Sequence, residues 1–173
     1  MALGKQKSIA FTAINATANL SKIRWNNRKI FGGSISDQDP DGHWQDTYYD
    51  VIPYQYGLMR AYMQQYARFP ERYHFLDPCF RSASVEETAR HCAEADFIGY
   101  SAYLWNQEFN LAVARRVRQL NPGAVNCFGG PQVPVEAEEF LRTNPWVDIA
   151  CYSEIEQSFL SVAENLDSRD WSK

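Results

Sequence analysis

Apolar residues along this chain fall into short uninterrupted runs, separated by longer stretches in which they recur every three or four positions. The runs read as buried strands and the periodic stretches as helices with one covered face. Ser8-Ile-Ala-Phe-Thr-Ala-Ile14, bounded by charge and rich in strand formers, predicts a first strand. Residues 15–52 show neither period. A gap this long exceeds the usual connection in an α/β unit and suggests a lid, a partner-binding segment or a partly disordered region. Its Trp25, Trp44, Tyr48 and Tyr49 argue against a purely solvated linker, because large rings gain most when something covers them.

Pro53 can open a helix over 54–68, with Tyr54, Leu58, Ala61, Tyr62 and Phe69 as its covered face, and Pro70 stops it. Tyr73 to Leu76 predicts the second strand. Ser84 and Glu87 have the spacing of a capping box for a helix through Ala93, with Val85, Ala89, Cys92 and Ala93 inward. Phe97 to Ser101 predicts a third strand, and a helix from Gln107 to Leu120 follows, facing inward through Phe109, Ala112, Val113, Val117 and Leu120. Ala124 to Phe128 and Val147 to Cys151 complete the strands. Helices are expected over Val135–Leu141 and Glu154–Leu166, the latter packing through Ile155, Phe159, Val162, Ala163 and Leu166.

Five strands alternating with five helices predict an α/β fold, an open, mostly parallel sheet covered on both faces. Residues 1–166 read as one domain, with 15–52 as an insertion or lid and 167–173 as a tail. The 173-residue length and 45% apolar content suffice for a single core.

Charge and cysteine usage narrow the setting. A net charge of −4 gives no global attraction to nucleic acid or anionic lipid. Lys5, Lys7, Lys22, Arg24, Arg28 and Lys29 precede Asp37, Asp39, Asp41, Asp46 and Asp50, an arrangement that reads as a solvated bipolar loop or a partner-docking surface. No stretch approaches the roughly 20 apolar residues that span a bilayer, and the amino terminus lacks a signal-like apolar core, so the setting is expected to be cytoplasmic. Cys79, Cys92, Cys127 and Cys151 are scattered and read as small core residues. No iron–sulfur cluster is expected on this chain.

Ligands of parallel sheets bind beyond the carboxyl ends of the strands, which selects three loops. The first is Ser101-Ala-Tyr-Leu-Trp-Asn106: Ser101 and Asn106 can exchange hydrogen bonds with an amide or phosphate, and Tyr103 and Trp105 offer flat apolar area. Alternatively, Asn106 caps the following helix and Trp105 fills its base. In the second loop, Gly129 and Gly130 remove side chains that would hold a large planar ligand off the backbone, and Pro131 limits its movement; a plain tight turn is the other reading. In the third, Ser153 and Glu156 could form a capping box, while Glu154 could accept a hydrogen bond from a sugar or amide. No catalytic set emerges: there is no nucleophile elbow, G-x-G-x-x-G or P-loop, and His43, His74 and His91 lack metal-ligand spacing.

Taken in order, Asp96-Phe-Ile-Gly-Tyr-Ser-Ala-Tyr-Leu-Trp-Asn106, Phe128-Gly-Gly-Pro-Gln-Val133, Val147-Asp148 and Ser153-Glu-Ile-Glu156 resemble the amino-terminal cobalamin-binding domain of B12-dependent radical SAM enzymes. The resemblance covers residues 96–166 and extends to Tyr54–Ala61. It implies a flavodoxin-like domain with strand order 2-1-3-4-5 that carries cobalamin, as methylcobalamin or hydroxocobalamin, along the carboxyl ends of its strands. It places Ser101, Tyr103, Leu104, Trp105 and Asn106 near the corrin or its lower face, and Gly129, Gly130 and Pro131 beside the nucleotide tail. Glu154 falls on the Glu of the family's Gly-Glu pair, and Ser153 stands where that Gly would be. Asp41-Gly-His43 matches only the start of the Asp-x-His-x-x-Gly signature of other B12 modules, since Asp46 occupies the last position. The resemblance therefore implies a base-off, His-off arrangement.

These 173 residues contain no CxxxCxxC. What the resemblance implies is the cobalamin-holding part of a methyltransferase-type system, working with a radical SAM protein or carboxyl-terminal domain. Two other readings are a cofactor-free regulatory or structural protein that binds a partner through its long early loop, and a small enzyme using flavin.

Overall fold

Each apolar run becomes a strand flanked by others on both sides or closed over by helices. A computed structural model describes residues 5–12, 54–79 and 83–171. Its strands are β1 (Lys7–Thr12), β2 (Tyr73–Phe75), β3 (Phe97–Ser101), β4 (Val125–Gly129) and β5 (Ile149–Cys151). Its helices are α1 (Tyr54–Tyr66), α2 (Val85–Cys92), α3 (Gln107–Leu120), α4 (Glu138–Thr143) and α5 (Glu156–Glu164), with a 3-10 turn at Pro70–Arg72. All strand pairs are parallel, in the order β2-β1-β3-β4-β5. This is the expected flavodoxin-like sheet. The register aligns Ile9 with Phe97, Thr12 with Tyr100, Ser101 with Gly129, and Gly129 with Cys151, so four strands end side by side.

Alternation along the strands divides the core between the two faces. Ala10, Ile98, Tyr100 and Phe128 face α2 and α3, meeting Ala89, Cys92, Val113, Ala114 and Val117. Ile9, Phe11, Phe97, Val125 and Cys127 face α1 and α5, meeting Met59, Met63, Phe159 and Val162. Gly99 is required on the second face: a Cβ there would lie 2.5 Å from the Phe11 ring and 2.8 Å from that of Phe159. Phe159 fills this space, its centroid 4.4 Å from that of Phe97. Burial of a ring this size is worth about 1.5–3 kcal/mol.

A polar cluster fastens the opposite, amino-terminal end of β4 and β5. Arg118 pairs with Asp148 and donates to the carbonyls of Pro122, Ala124 and Trp146, while Asp148 also accepts from the Asn126 backbone N–H. Tyr100 donates its hydroxyl to Asn126 Oδ1, and full burial pushes that phenol well above its ordinary range. Asp167 pairs with Lys7 and Arg72, and the Arg169 guanidinium donates to the Gly123 carbonyl, which ties residues beyond 166 to the same end.

Several boundaries and faces differ from the sequence reading. Helix α1 buries Met59 and Met63, whereas Tyr54, Ala61 and Phe69 are exposed. Two flexible side chains one turn apart fill the groove over the sheet better than the rings at the helix ends. Helix α3 turns Asn110 and Ala114 inward, and Ala112 and Leu120 outward. Helix α4 starts at Glu138 rather than Val135, which is exposed. The Ser84–Glu87 capping box forms as expected, with both reciprocal bonds present. Residues 15–52, including the four aromatic residues and the Asp41-Gly-His43 stretch, lie outside the described residues, as do Ala13 and Ile14 at the end of the first apolar run.

Candidate functional site

The carboxyl ends of β1, β3, β4 and β5 form one edge, and strand order reverses between β1 and β3. Thr12 and Ser101 therefore end at the switch point of the sheet, where parallel α/β folds leave a crevice. Both are buried, as are Asn106 and Asn110.

Ser101 and Asn106 turn inward. Ser101 Oγ donates to the Thr12 carbonyl at 3.0 Å and accepts from Asn106 Nδ2 at 2.9 Å. Asn106 Oδ1 accepts the Tyr103 backbone N–H at 2.9 Å, while the Tyr103 carbonyl accepts from the N–H groups of Asn106 and Gln107. Asn106 stands at the N-cap position of α3 without a side-chain cap bond. Its side chain folds back to close the turn before the helix.

The outer face of that turn is apolar and open. Leu104 is 81% and Trp105 55% exposed, so Trp105 does not fill the helix base. Tyr103 and Trp105 stack with centroids 4.8 Å apart and planes 11° from parallel. Gln55, in the first turn of α1, donates to the Tyr103 hydroxyl at 3.2 Å. Two stacked rings thus stand together above the sheet.

The glycine turn after β4 is built against its neighbours. A Cβ on Gly129 would lie 2.6 Å from Ile155, whose side chain covers the end of β4. Gly130 has φ +128°, and a Cβ there would meet the Ala102 carbonyl oxygen at 2.8 Å. Ala102 donates to the Gly129 carbonyl at 2.7 Å and accepts from Gln132 at 3.0 Å, so the loops after β3 and β4 are bonded together. Pro131 and Gln132 are exposed at the rim, and buried Val133 anchors the turn.

In the loop after β5, Tyr152, Ser153 and Glu154 are exposed. Ser153 takes φ 67°, a left-handed conformation that glycine adopts without strain. The N-cap position falls on Ile155 instead, two residues further on, so Ser153 forms no capping box with Glu156. The helix begins at Glu156 with Ile155 as N-cap and no side-chain cap bond.

Among the described residues, no nucleophile and base are brought together here. His74 is exposed on β2, and His91 on α2 shares a 2.8 Å hydrogen bond with the Asp77 carbonyl. Among the described residues no three His, Cys, Asp or Glu side chains gather as metal ligands. Cys127 and Cys151 lie with sulfurs 3.7 Å apart; this contact and burial push the Cys127 thiol up, leaving it a neutral core group. A cavity of about 490 Å³ lined by Asp77, Cys79, Thr88 and His91 lies between the end of β2 and α2, separate from the three loops.

Sequence reasoning missed Asn110, which is fully buried and bonds both Thr12 and Ser101. Its spacing of one helical turn from Asn106, on the face shared with Val113 and Val117, was the available signal.

A doubly wound sheet in this order, with its loops open at the carboxyl edge, defines the flavodoxin-like class of α/β domain. Within that class the chain belongs to the B12-binding domain family, whose model, described as "B12 binding domain", matches residues 46–163. It is 34% identical over 111 residues to the cobalamin-dependent radical SAM methyltransferase TokK of Streptomyces tokunonensis, a match covering 64% of this chain and 16% of that protein. It is 32% identical over 124 residues to the 2-(S-pantetheinyl)-carbapenam-3-carboxylate methyltransferase of Streptantibioticus cattleyicolor, covering 70% of this chain and 18% of that protein. The chain therefore spans under a fifth of either relative.

Proposed function

We propose that this chain holds cobalamin for a B12-dependent radical SAM methyltransferase system, with the radical SAM component supplied by a further domain or a separate protein. The observation that carries the reading is the exposed apolar rim of Leu104, Trp105 and Tyr152 at the carboxyl edge of a B12-family sheet. Large apolar side chains left exposed at a ligand edge gain most by being covered.

The residues present fit such a group. A corrin offers a broad, largely apolar face with amide-bearing edges. Leu104 and Trp105 supply an apolar floor for it, and the Ser101–Asn106 bonds keep that floor from collapsing into the sheet. Gly129 and Gly130 let this turn pack directly against Ile155 and Ala102, and Gly130 and the exposed Pro131 are its parts at the rim that would lie beside the nucleotide tail. Glu154, exposed beside this opening, is an acceptor for a sugar hydroxyl or amide. Ser153 keeps the left-handed geometry suited to the family's glycine, so the replacement leaves the course of the loop open to the ligand.

Bound cobalamin would supply the organometallic chemistry of methyl transfer, as methylcobalamin or, in the resting form, hydroxocobalamin. The chain's share is to bind, orient and shield it. The relatives' names carry the methyltransferase part of the proposal.

Reconstitution with hydroxocobalamin tests this directly. The protein should retain the cofactor's visible absorption through desalting, at one equivalent per chain. A folded protein that emerges colourless contradicts the proposal, and a flavin spectrum in protein purified without reconstitution would replace it with a different cofactor.

A further inference from the structure

The turn that carries Tyr103 and Trp105 is held by a buried polar ring whose far member never reaches the surface. Asn110 is 0% exposed, and so is Thr12. Thr12 Oγ1 donates to Asn110 Oδ1 at 3.0 Å, and Asn110 Nδ2 donates to the Ser101 carbonyl at 2.7 Å. Ser101 Oγ closes the ring by donating to the Thr12 carbonyl. The amide orientation is fixed chemically, because a carbonyl can only accept and must face Nδ2. From Ser101 the chain of bonds continues through Asn106 to the Tyr103 N–H.

An asparagine at this place in α3 needs a reason. On a helix face otherwise made by Val113, Ala114 and Val117, an apolar side chain would pack without desolvating an amide. Asn110 is tolerated because both ends of its amide are met, one by β1 and one by β3. Removing either partner leaves a buried polar group unmet beside Ser101, to which the turn is bonded through Asn106.

We infer that Asn110 and Thr12 are positioning residues for cofactor capture: they hold the Tyr103–Trp105 pair in its ligand-ready arrangement without touching the ligand. The inference rests on the cobalamin reading of the site and goes beyond it by assigning roles to two residues sealed in the core. A residue that acts this way changes the fraction of molecules ready to bind. Loss of the ring therefore slows association and leaves dissociation nearly unchanged, the reverse of losing a direct contact.

The test uses Thr12→Val, Asn110→Leu and the conservative Thr12→Ser, each checked for folding by far-UV circular dichroism. Two readouts are taken: stopped-flow rates with hydroxocobalamin, and the fluorine resonance of 5-fluorotryptophan at Trp105, assigned with Trp105→Phe. Thr12→Val and Asn110→Leu should split or broaden the Trp105 resonance without cofactor and slow association about tenfold, the population shift expected from about one unmet buried hydrogen bond. Thr12→Ser should restore both. An unchanged Trp105 resonance with unchanged association, or a loss of affinity that lies in dissociation, overturns the inference. If Asn110→Leu does not fold, the Thr12→Val and Thr12→Ser pair decides it. Should the parent protein take up no cobalamin while Thr12→Val still splits the Trp105 resonance, the positioning role stands and the cofactor reading falls.

Discussion

Replacing Gly130 by alanine puts a number on how tightly the glycine turn is seated. The added Cβ would lie 2.8 Å from the Ala102 carbonyl oxygen and 3.2 Å from the Ala102 nitrogen, both backbone atoms, so no side-chain rotation relieves the contact. The backbone at φ +128° is also one that an L-residue adopts only under strain. Strain and overpacking each cost about 1–3 kcal/mol, which places the loss at about 2–6 kcal/mol. In a domain of this length, at about 2–4 °C per kcal/mol, that lowers the melting temperature by about 4–24 °C. Gly57→Ala is the internal control: nothing lies within 4 Å of a Cβ there, at the fourth position of α1, and the substitution should stabilise by about 0.5–1 kcal/mol. Urea unfolding followed by circular dichroism measures both, with an unchanged slope as the check that the unfolded reference is the same. A Gly130→Ala protein within about 0.5 kcal/mol of its parent would refute the close seating of the β3 and β4 loops, since that is the scatter of neutral surface changes.

The left-handed backbone at Ser153 predicts that Ser153→Val destabilises by about 1–2 kcal/mol while Ser153→Gly is neutral or mildly stabilising, again by urea midpoint. Glu86 is held at about 2 by hydrogen bonds from Arg116 and Arg90, below its ordinary value of 4.5. A lowered carboxylate contributes stability that is fully present above the unfolded value and lost as pH falls toward the folded one, so Glu86→Gln should flatten the decline of the urea midpoint between about pH 5 and about pH 2. A decline as steep as the parent's would count against these ion pairs in solution. Asp148→Ala, at the amino end of the sheet, strips the partner from Arg118 and the Asn126 N–H and should cost about 1–3 kcal/mol. Cobalamin retention by the folded variant should be unchanged, because the three site loops lie at the other end.

The strands were legible because Phe97–Ser101 and its neighbours are short, mostly apolar runs that suit a sheet covered on both faces. Helix faces were harder. In α3 the period is clear, but a stripe drawn through Phe109, Ala112, Val113, Val117 and Leu120 leaves out Asn110, whose buried amide is met by Ser101 of β3 and by Thr12 of β1, the latter 98 residues away. Two Ser-x-x-Glu stretches show why local patterns divide. Ser84, with φ −72° and ψ 156°, is extended and makes both bonds with Glu87. Ser153 is left-handed and lies two residues before the N-cap Ile155, and the same pattern forms no cap. The site loops were found from topology and resemblance, while the inward turn of Ser101 and Asn106 depended on which acceptors the fold sets beneath them.

Hydrogen exchange with and without hydroxocobalamin tests the central claim most directly. Cobalamin lying along the carboxyl edge should slow exchange in residues 101–106, 129–134 and 152–155 together, and leave β2 and the Arg118–Asp148 end as they were. Protection confined to other parts of the chain, or none at saturating cofactor, would contradict it.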